Sequence, residues 1–332
     1  MFPALSIWFF VVAAVVTQLL ARPMRLDSTR RDSNCTDPTV RVNWLTLTDG
    51  EKTAYFDAEL CLLSLPAQSS IPGVVTRYDD LVGAHSMQSD TGAGTDLWHT
   101  TGQFLAVTHM NYLMNRAHRY YMHTHEILLR EECNYTGALP YWYELEDAGA
   151  FNESSVMIEF GGEGLEENDY VIVDGPFANL TRNLGPGATN TPHLLTRQMS
   201  WWNTTLANQT YFDEVNAQTT FALFQSTLNP TIHTAGHRGV GGDMENILTS
   251  PNDPMFFLHH TYLDWVWWTW QGDNETRIFD IEGAGYETQS EPATGWVETS
   301  AETSIWVYDI IPNITVGDVL YTQGGYLCYI YA

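Results

Sequence analysis

The stretch HTAGHRGVGGDMENILTSPNDPMFFLHHTYLDWVWWTW, residues 233–270, decides how the rest of the chain is read. His233 and His237 stand four apart, so on a helix their imidazoles share one face, one turn from each other. Asp253 suits a helix N-cap and Pro254 the first helical position, which predicts a second helix from Met255 through about Trp270. His260 rides on that second helix, and three imidazoles can then converge. Imidazole-only ligation suits copper, zinc, iron or nickel. Neither the His-Glu-x-x-His pattern of zinc proteases nor a cysteine-rich zinc site is present, which narrows the choice to copper or zinc. Trp265, Trp267, Trp268 and Trp270 read as helix core rather than as a binding wall.

A second concentration of histidines lies upstream, at His85, His99, His109, His118, His123 and His125, and two clusters suggest two metal ions. Arg119 to Glu132 contains neither Gly nor Pro and is rich in helix formers, which predicts an uninterrupted helix. Ser304 to Ile310 and Tyr326 to Tyr331 read as strands or extended chain laid over the helices. The residues themselves read as mainly α, with long loops and a few short strands.

The chain has 332 residues, 44% hydrophobic and 13% aromatic, enough for a substantial core. Against 40 acidic residues there are 14 Lys+Arg, a formal net charge of -26, which repels nucleic acid and anionic membranes. Residues 1–21 read as a signal peptide, uncharged and apolar from Leu5 to Leu20, and 22–332 as one domain without repeats or long linkers. The sequons at Asn34, Asn134, Asn152, Asn179, Asn203, Asn208, Asn274 and Asn313 support export. Cys35, Cys61, Cys133 and Cys328 then read as two disulfides, with three pairings open. A secreted glycoprotein with no nucleic-acid partner and no stable membrane association is expected; its oligomeric state stays open.

His233-Thr-Ala-Gly-His237, Gly241-Gly242, Ser250-Pro-Asn-Asp-Pro254 and Phe256-Phe-Leu-His-His260-Thr-Tyr-Leu-Asp264 resemble the second copper half-site of tyrosinases and catechol oxidases, the type-3 copper proteins. The resemblance implies His233, His237 and His260 as ligands of one copper, His259 beside them, and Phe256 packed near the ligand rings. The first half-site is similar at His85, at His99-Thr-Thr-Gly-Gln-Phe-Leu, and at His118-Arg-Tyr-Tyr followed by Glu126, Leu129-Arg130, Cys133 and Pro140-Tyr-Trp142. It implies His85, His99 and His118 as ligands of the other copper. His118 follows His99 by nineteen residues, ten more than the family's interval, and removing Val107 to Arg116 restores it. His118 is preferred over His109 because the downstream helix pattern follows His118. Ten added residues dislocate a site of this kind unless they loop out. His85 is the least secure ligand, since the interval to His99 holds Gly92 and Gly94 and looks loop-like. Arg41 and the closing Tyr329-Ile-Tyr331 also match, and the resemblance implies Arg41 stacked on those tyrosines. The chain resembles the short secreted fungal form without a C-terminal shielding domain, and the resemblance implies a mainly α fold whose central four-helix bundle carries the dinuclear copper site.

The implied activity is oxidation of o-diphenols to o-quinones with dioxygen on two copper ions, with a phenolic small molecule and O2 as partners. Hydroxylation of a monophenol needs a base, which the family is thought to supply through a glutamate shortly before the first ligand of the second copper. Phe224 to Ile232 contains neither Asp nor Glu; Asn229 lies one turn before His233, and Thr234 replaces an asparagine associated with monophenol activity. Asn229 and Thr234 are thus activity-tuning positions, and diphenol oxidation is favoured. Leu97, two before His99, excludes the Cys-His thioether of some relatives. A tailoring oxidase of a phenolic metabolite or peptide, a non-catalytic oxygen carrier and a copper-deficient homologue remain as alternatives.

Overall fold

The computed structural model describes residues 35–89, 114–281, 293–295 and 297–332. Residues 1–21, read above as a signal peptide, and Leu97, His99 and His109 lie outside them. Helix α1 spans Asp49–Ser64 and α2 Arg77–Gln88, each opened by a capping box, Thr48 with Glu51 and Thr76 with Asp79. Helix α3 runs Met114–Cys133, longer at its start than the expected Arg119 to Glu132. Helix α4, Phe221–Leu228, passes through a π-turn at Asn229–His233 into α5, Thr234–Val240. Helix α6 spans Met255–Gly272; Pro254 occupies the cap, and the Asp253 carboxylate just ahead accepts the Met255 N–H at 3.0 Å.

Every residue of α6 from Met255 to Asp264 is buried, as expected for the central helix of a bundle. It packs along α3, α3 along α1, and α1 along α2. Trp267 and Trp270 are fully buried and Trp265 and Trp268 pack at the core margin, so the tryptophan run is core, as its sequence suggested. Of the segment Val107 to Arg116, the last three residues form the first turn of α3, and residues 107–113 lie outside the described residues. Arg116 there is buried, with its guanidinium 3.9 Å over the Phe221 ring and donating to the Asp280 carbonyl at 3.1 Å.

The two ends of the described chain close over the bundle. Strand Thr39–Arg41 pairs in parallel with Tyr329–Tyr331, Arg41 opposite Tyr331, and the disulfide Cys35–Cys328 ties the same ends. The second disulfide, Cys61–Cys133, joins α1 to the end of α3. Arg41 is buried with its guanidinium 3.6 Å over the Tyr329 ring, the stacking that the resemblance implied.

Asp264 gathers these parts. Its carboxylate accepts from Arg119 Nε at 2.5 Å and from the hydroxyls of Tyr329 and Tyr331 at 2.6 Å each, with Arg41 at 3.5 Å. Arg119 also donates to the carbonyls of Val319 and Leu320 and to Gln271, and lies 3.6 Å over Trp267. Removing one partner of a buried pair leaves the other charge uncompensated. Asp264→Ala is therefore expected to lower the unfolding free energy by about 3–5 kcal/mol in urea denaturation; a loss below about 1 kcal/mol contradicts the assignment of Asp264 as the hub.

Candidate metal centre

His85 comes from the last turn of α2, His118 from the first half of α3, His233 from the π-turn, His237 from α5, and His259 and His260 from α6. The donor atoms of His233, His237, His259 and His260 all lie within 4.8 Å of one another. The other cluster meets this one through His118, whose ring stacks on His260 at 4.2 Å between centroids and 13° between planes. His85 is 5.6 Å from His118. Phe256 fills the space between the rings, at 4.1 Å from His260, 5.2 Å from His85, 5.8 Å from His237 and 5.9 Å from His118.

Two other histidines of the upstream cluster do other work. His125 Nε2 lies 2.9 Å from the buried Glu59 carboxylate, and its ring stacks on Phe257. His123 packs between Tyr120 and Tyr326.

Orientation of the imidazoles is set by backbone carbonyls. His237 Nδ1 lies 2.8 Å from the Met244 carbonyl and His85 Nδ1 2.9 Å from the Leu248 carbonyl. A carbonyl only accepts, so each Nδ1 carries the proton and each Nε2 keeps its lone pair, the tautomer a metal ligand needs. Burial holds His85 well below its ordinary range, helped by neighbouring His118, and holds His260 well below in the same way. Burial first, and His259 second, push His237 down to about 3. Burial thus disfavours the charged form of these rings, and the Nε2 atoms of His237 and His260 approach to 3.1 Å, close to the separation of two nitrogens sharing one cation at about 2 Å. Imidazoles oriented in this way fit copper.

His259 has a different partner. Its Nδ1 is 2.5 Å from Glu144 Oε1, both groups fully buried. Burial, with a contribution from Asp147, raises the Glu144 carboxyl well above the usual carboxylate range, and burial pushes His259 down to about 3. Burial disfavours the charged form of both groups, and a short hydrogen bond between the Glu144 carboxyl and Nδ1 holds the His259 ring in place. Glu144 escaped sequence reasoning although it follows Pro140-Tyr-Trp142 by two residues; its signal is an acid inside an aromatic run. The His259 ring also lies flat against Gly236, where a Cβ would stand 2.1 Å from ring atoms.

Asn229 and Thr234 contact each other directly. Thr234 Oγ1 donates to the Asn229 carbonyl at 2.8 Å across the π-turn, and Asn229 Oδ1 accepts from Gln225 at 2.7 Å.

A family model of the common central domain of tyrosinase matches residues 75–273. The chain is 30% identical over 317 residues to the tyrosinase-like protein phomQ2 of Diaporthe leptostromiformis, covering 90% of this chain and 74% of that one. It is 26% identical over 365 residues to N-acetyl-6-hydroxytryptophan oxidase ivoB of Emericella nidulans, covering 90% and 93%. A solved structure of a mutant polyphenol oxidase from Thermothelomyces thermophila superposes with a TM-score of 0.76 at 27% identity, covering 89% of each chain. The chain belongs to the tyrosinase family and is a copper oxidase of its type-3 class, whose members bind two copper ions.

Gly236→Ala is expected to push the His259 ring off α5, lowering stability by about 1–3 kcal/mol, the usual cost of overpacking, and reducing copper content. Urea denaturation and metal analysis together check it; an unchanged stability would show that the ring has room to move.

Proposed function

We propose that this protein oxidises o-diphenols to o-quinones with dioxygen, holding one copper with His85, His99 and His118 and the other with His233, His237 and His260. The observation that carries the reading is the stacking of His118 on His260, which joins the two histidine clusters into one centre. His260 is preferred to His259 because it lies between His118 and His237, while the Nδ1 of His259 is engaged by Glu144. His118 is preferred to His109 because the helix pattern follows it, and its ring stacks on His260; His109 lies outside the described residues. Bound there, the metal pair supplies dioxygen binding and the acceptance of two electrons from the diphenol.

The chain's own residues orient and exclude. Met244 and Leu248 carbonyls aim two of the rings, and Phe256 packs against the rings of His260 and His85. His233, Thr234 and His237 are half-buried whereas His85, His118 and His260 are buried, so a phenolic ring approaches from the side of α5. On that side the side chain at position 229 is a carboxamide, already bonded to Gln225, and it cannot take the proton of a monophenol. A tailoring role on a hydroxylated aromatic metabolite fits the same site and is favoured by the similarity to an oxidase that acts on a hydroxytryptophan derivative.

Secretion and N-glycosylation complete the proposal. Both cysteine pairs form disulfides; of the seven described sequon asparagines Asn134, Asn152, Asn179, Asn274 and Asn313 are exposed and Asn203 and Asn208 half-buried; and no helix among the described residues is long and apolar enough to cross a membrane.

Oxygen uptake on a simple catechol and its matching monophenol tests the activity. Catechol turnover is expected to exceed monophenol turnover by at least about 100-fold, the low end of what a positioned base contributes. Asn229→Asp, which supplies a carboxylate where Gln225 already donates, is expected to narrow the gap. Comparable wild-type turnover of both phenols overturns the missing-base argument, and turnover of neither overturns the enzyme reading in favour of an oxygen carrier or a copper-deficient homologue.

A further inference from the structure

One short segment, 241–252, serves both histidine clusters. Its Met244 carbonyl takes the Nδ1 proton of His237, and four residues later its Leu248 carbonyl takes that of His85. The segment contains only two short 3-10 turns, Gly242–Glu245 and Ser250–Asn252, so side chains must hold its shape. Asn246 Oδ1 accepts from the backbone N–H groups of Leu248 and Thr249 at 3.2 Å each. Ser250 Oγ donates to the Met244 carbonyl at 2.8 Å. Gly242, at φ 59, lets the turn lie against the Thr196 carbonyl, where a Cβ would stand at 2.2 Å.

Asp243 anchors this turn to the rest of the protein. One oxygen accepts from the Thr196 backbone N–H at 2.9 Å and the Thr196 hydroxyl at 3.0 Å. The other meets His193 Nε2 at 2.7 Å and the Asn252 amide at 3.4 Å. His193 belongs to neither histidine cluster and is held on its far side by the Thr191 carbonyl at 2.9 Å. Asp243 touches no described imidazole of the centre, yet the residue after it carries the carbonyl that aims His237.

We propose that Asp243, braced by His193, is a positioning residue for both coppers at once, because it fixes the single turn whose carbonyls orient one ligand in each half-site. The inference rests on the reading of His85 and His237 as ligands. Partners that orient metal-bound histidines typically change metal affinity by about 10–100-fold when mutated.

The test is the rate at which the copper-loaded full-length protein gives up each copper to excess chelator. Asp243→Asn is expected to release both coppers about 10-fold faster or more, and His193→Gln to release both faster by a smaller factor. Arg238→Ala, which removes an exposed ion pair to Glu245 on the same turn, is expected to leave both rates unchanged. Thermal unfolding of the metal-free variants establishes that each is folded. Faster loss of only one copper, or unchanged rates in a folded Asp243→Asn, overturns the inference; if that variant does not fold, His193→Gln decides by the same criteria. A wild-type chain that takes up fewer than two coppers overturns the ligand assignment itself, a failure distinct from that of the positioning role.

Discussion

The buried pair between Asp264 and Arg119 is the constraint on which the centre depends. Asp264 lies one turn beyond His260 on α6, and Arg119 is the residue directly after His118 on α3, so an N–O contact of 2.5 Å between them sets how the two helices meet. The stacking of His118 on His260 follows from that registration. A buried ion pair contributes little net stability compared with an apolar replacement of equal shape, and its value lies in the single arrangement that satisfies both charges. Here that arrangement also recruits Tyr329, Tyr331 and Arg41, so the ends of the described chain are fastened to the helix that carries the centre. The disulfide Cys35–Cys328 closes the same junction and stabilises it chiefly by restricting the unfolded chain.

Around the imidazoles the division of labour is between backbone and carboxyl. Met244 and Leu248 carbonyls keep the Nε2 lone pairs of His237 and His85 available, whereas the Glu144 carboxyl engages His259 and leaves His260 to face His118 and His237. Adjacent histidines on one helix thus acquire different roles from their surroundings, while burial disfavours the charged form of both. Gly236 contributes by having no side chain, since the His259 ring occupies the space a Cβ would need.

Much of this was legible in residue types and spacing. The four-residue interval between His233 and His237, the Asp253-Pro254 helix start and the unbroken run after His118 predict elements that the structure contains. The placement of Phe256 against the rings and of Arg41 on Tyr329 matches what the family motifs implied. What sequence could not carry is of three physical kinds. Backbone carbonyls have no residue signature, so Met244 and Leu248 gave no signal. Isolated polar residues such as Glu144 and His193 gain meaning only from distant partners, His259 and Asp243. The π-turn at Asn229–His233 breaks the 3.6-residue period on which helix reading rests and lets Thr234 bond the Asn229 carbonyl five residues back. The last three residues of the Val107 to Arg116 segment turned out helical because Arg116 finds buried partners in Phe221 and the Asp280 carbonyl.

The central claim is that the two histidine clusters form one paired copper centre in which His118 is the ligand contributed by α3. It is tested most directly by the copper content of the purified full-length protein beside that of His118→Gln and His109→Gln. The expected result is two coppers in the wild type and in His109→Gln, and the loss of one in His118→Gln. Retention of both coppers by His118→Gln, with loss of one from His109→Gln, would contradict it.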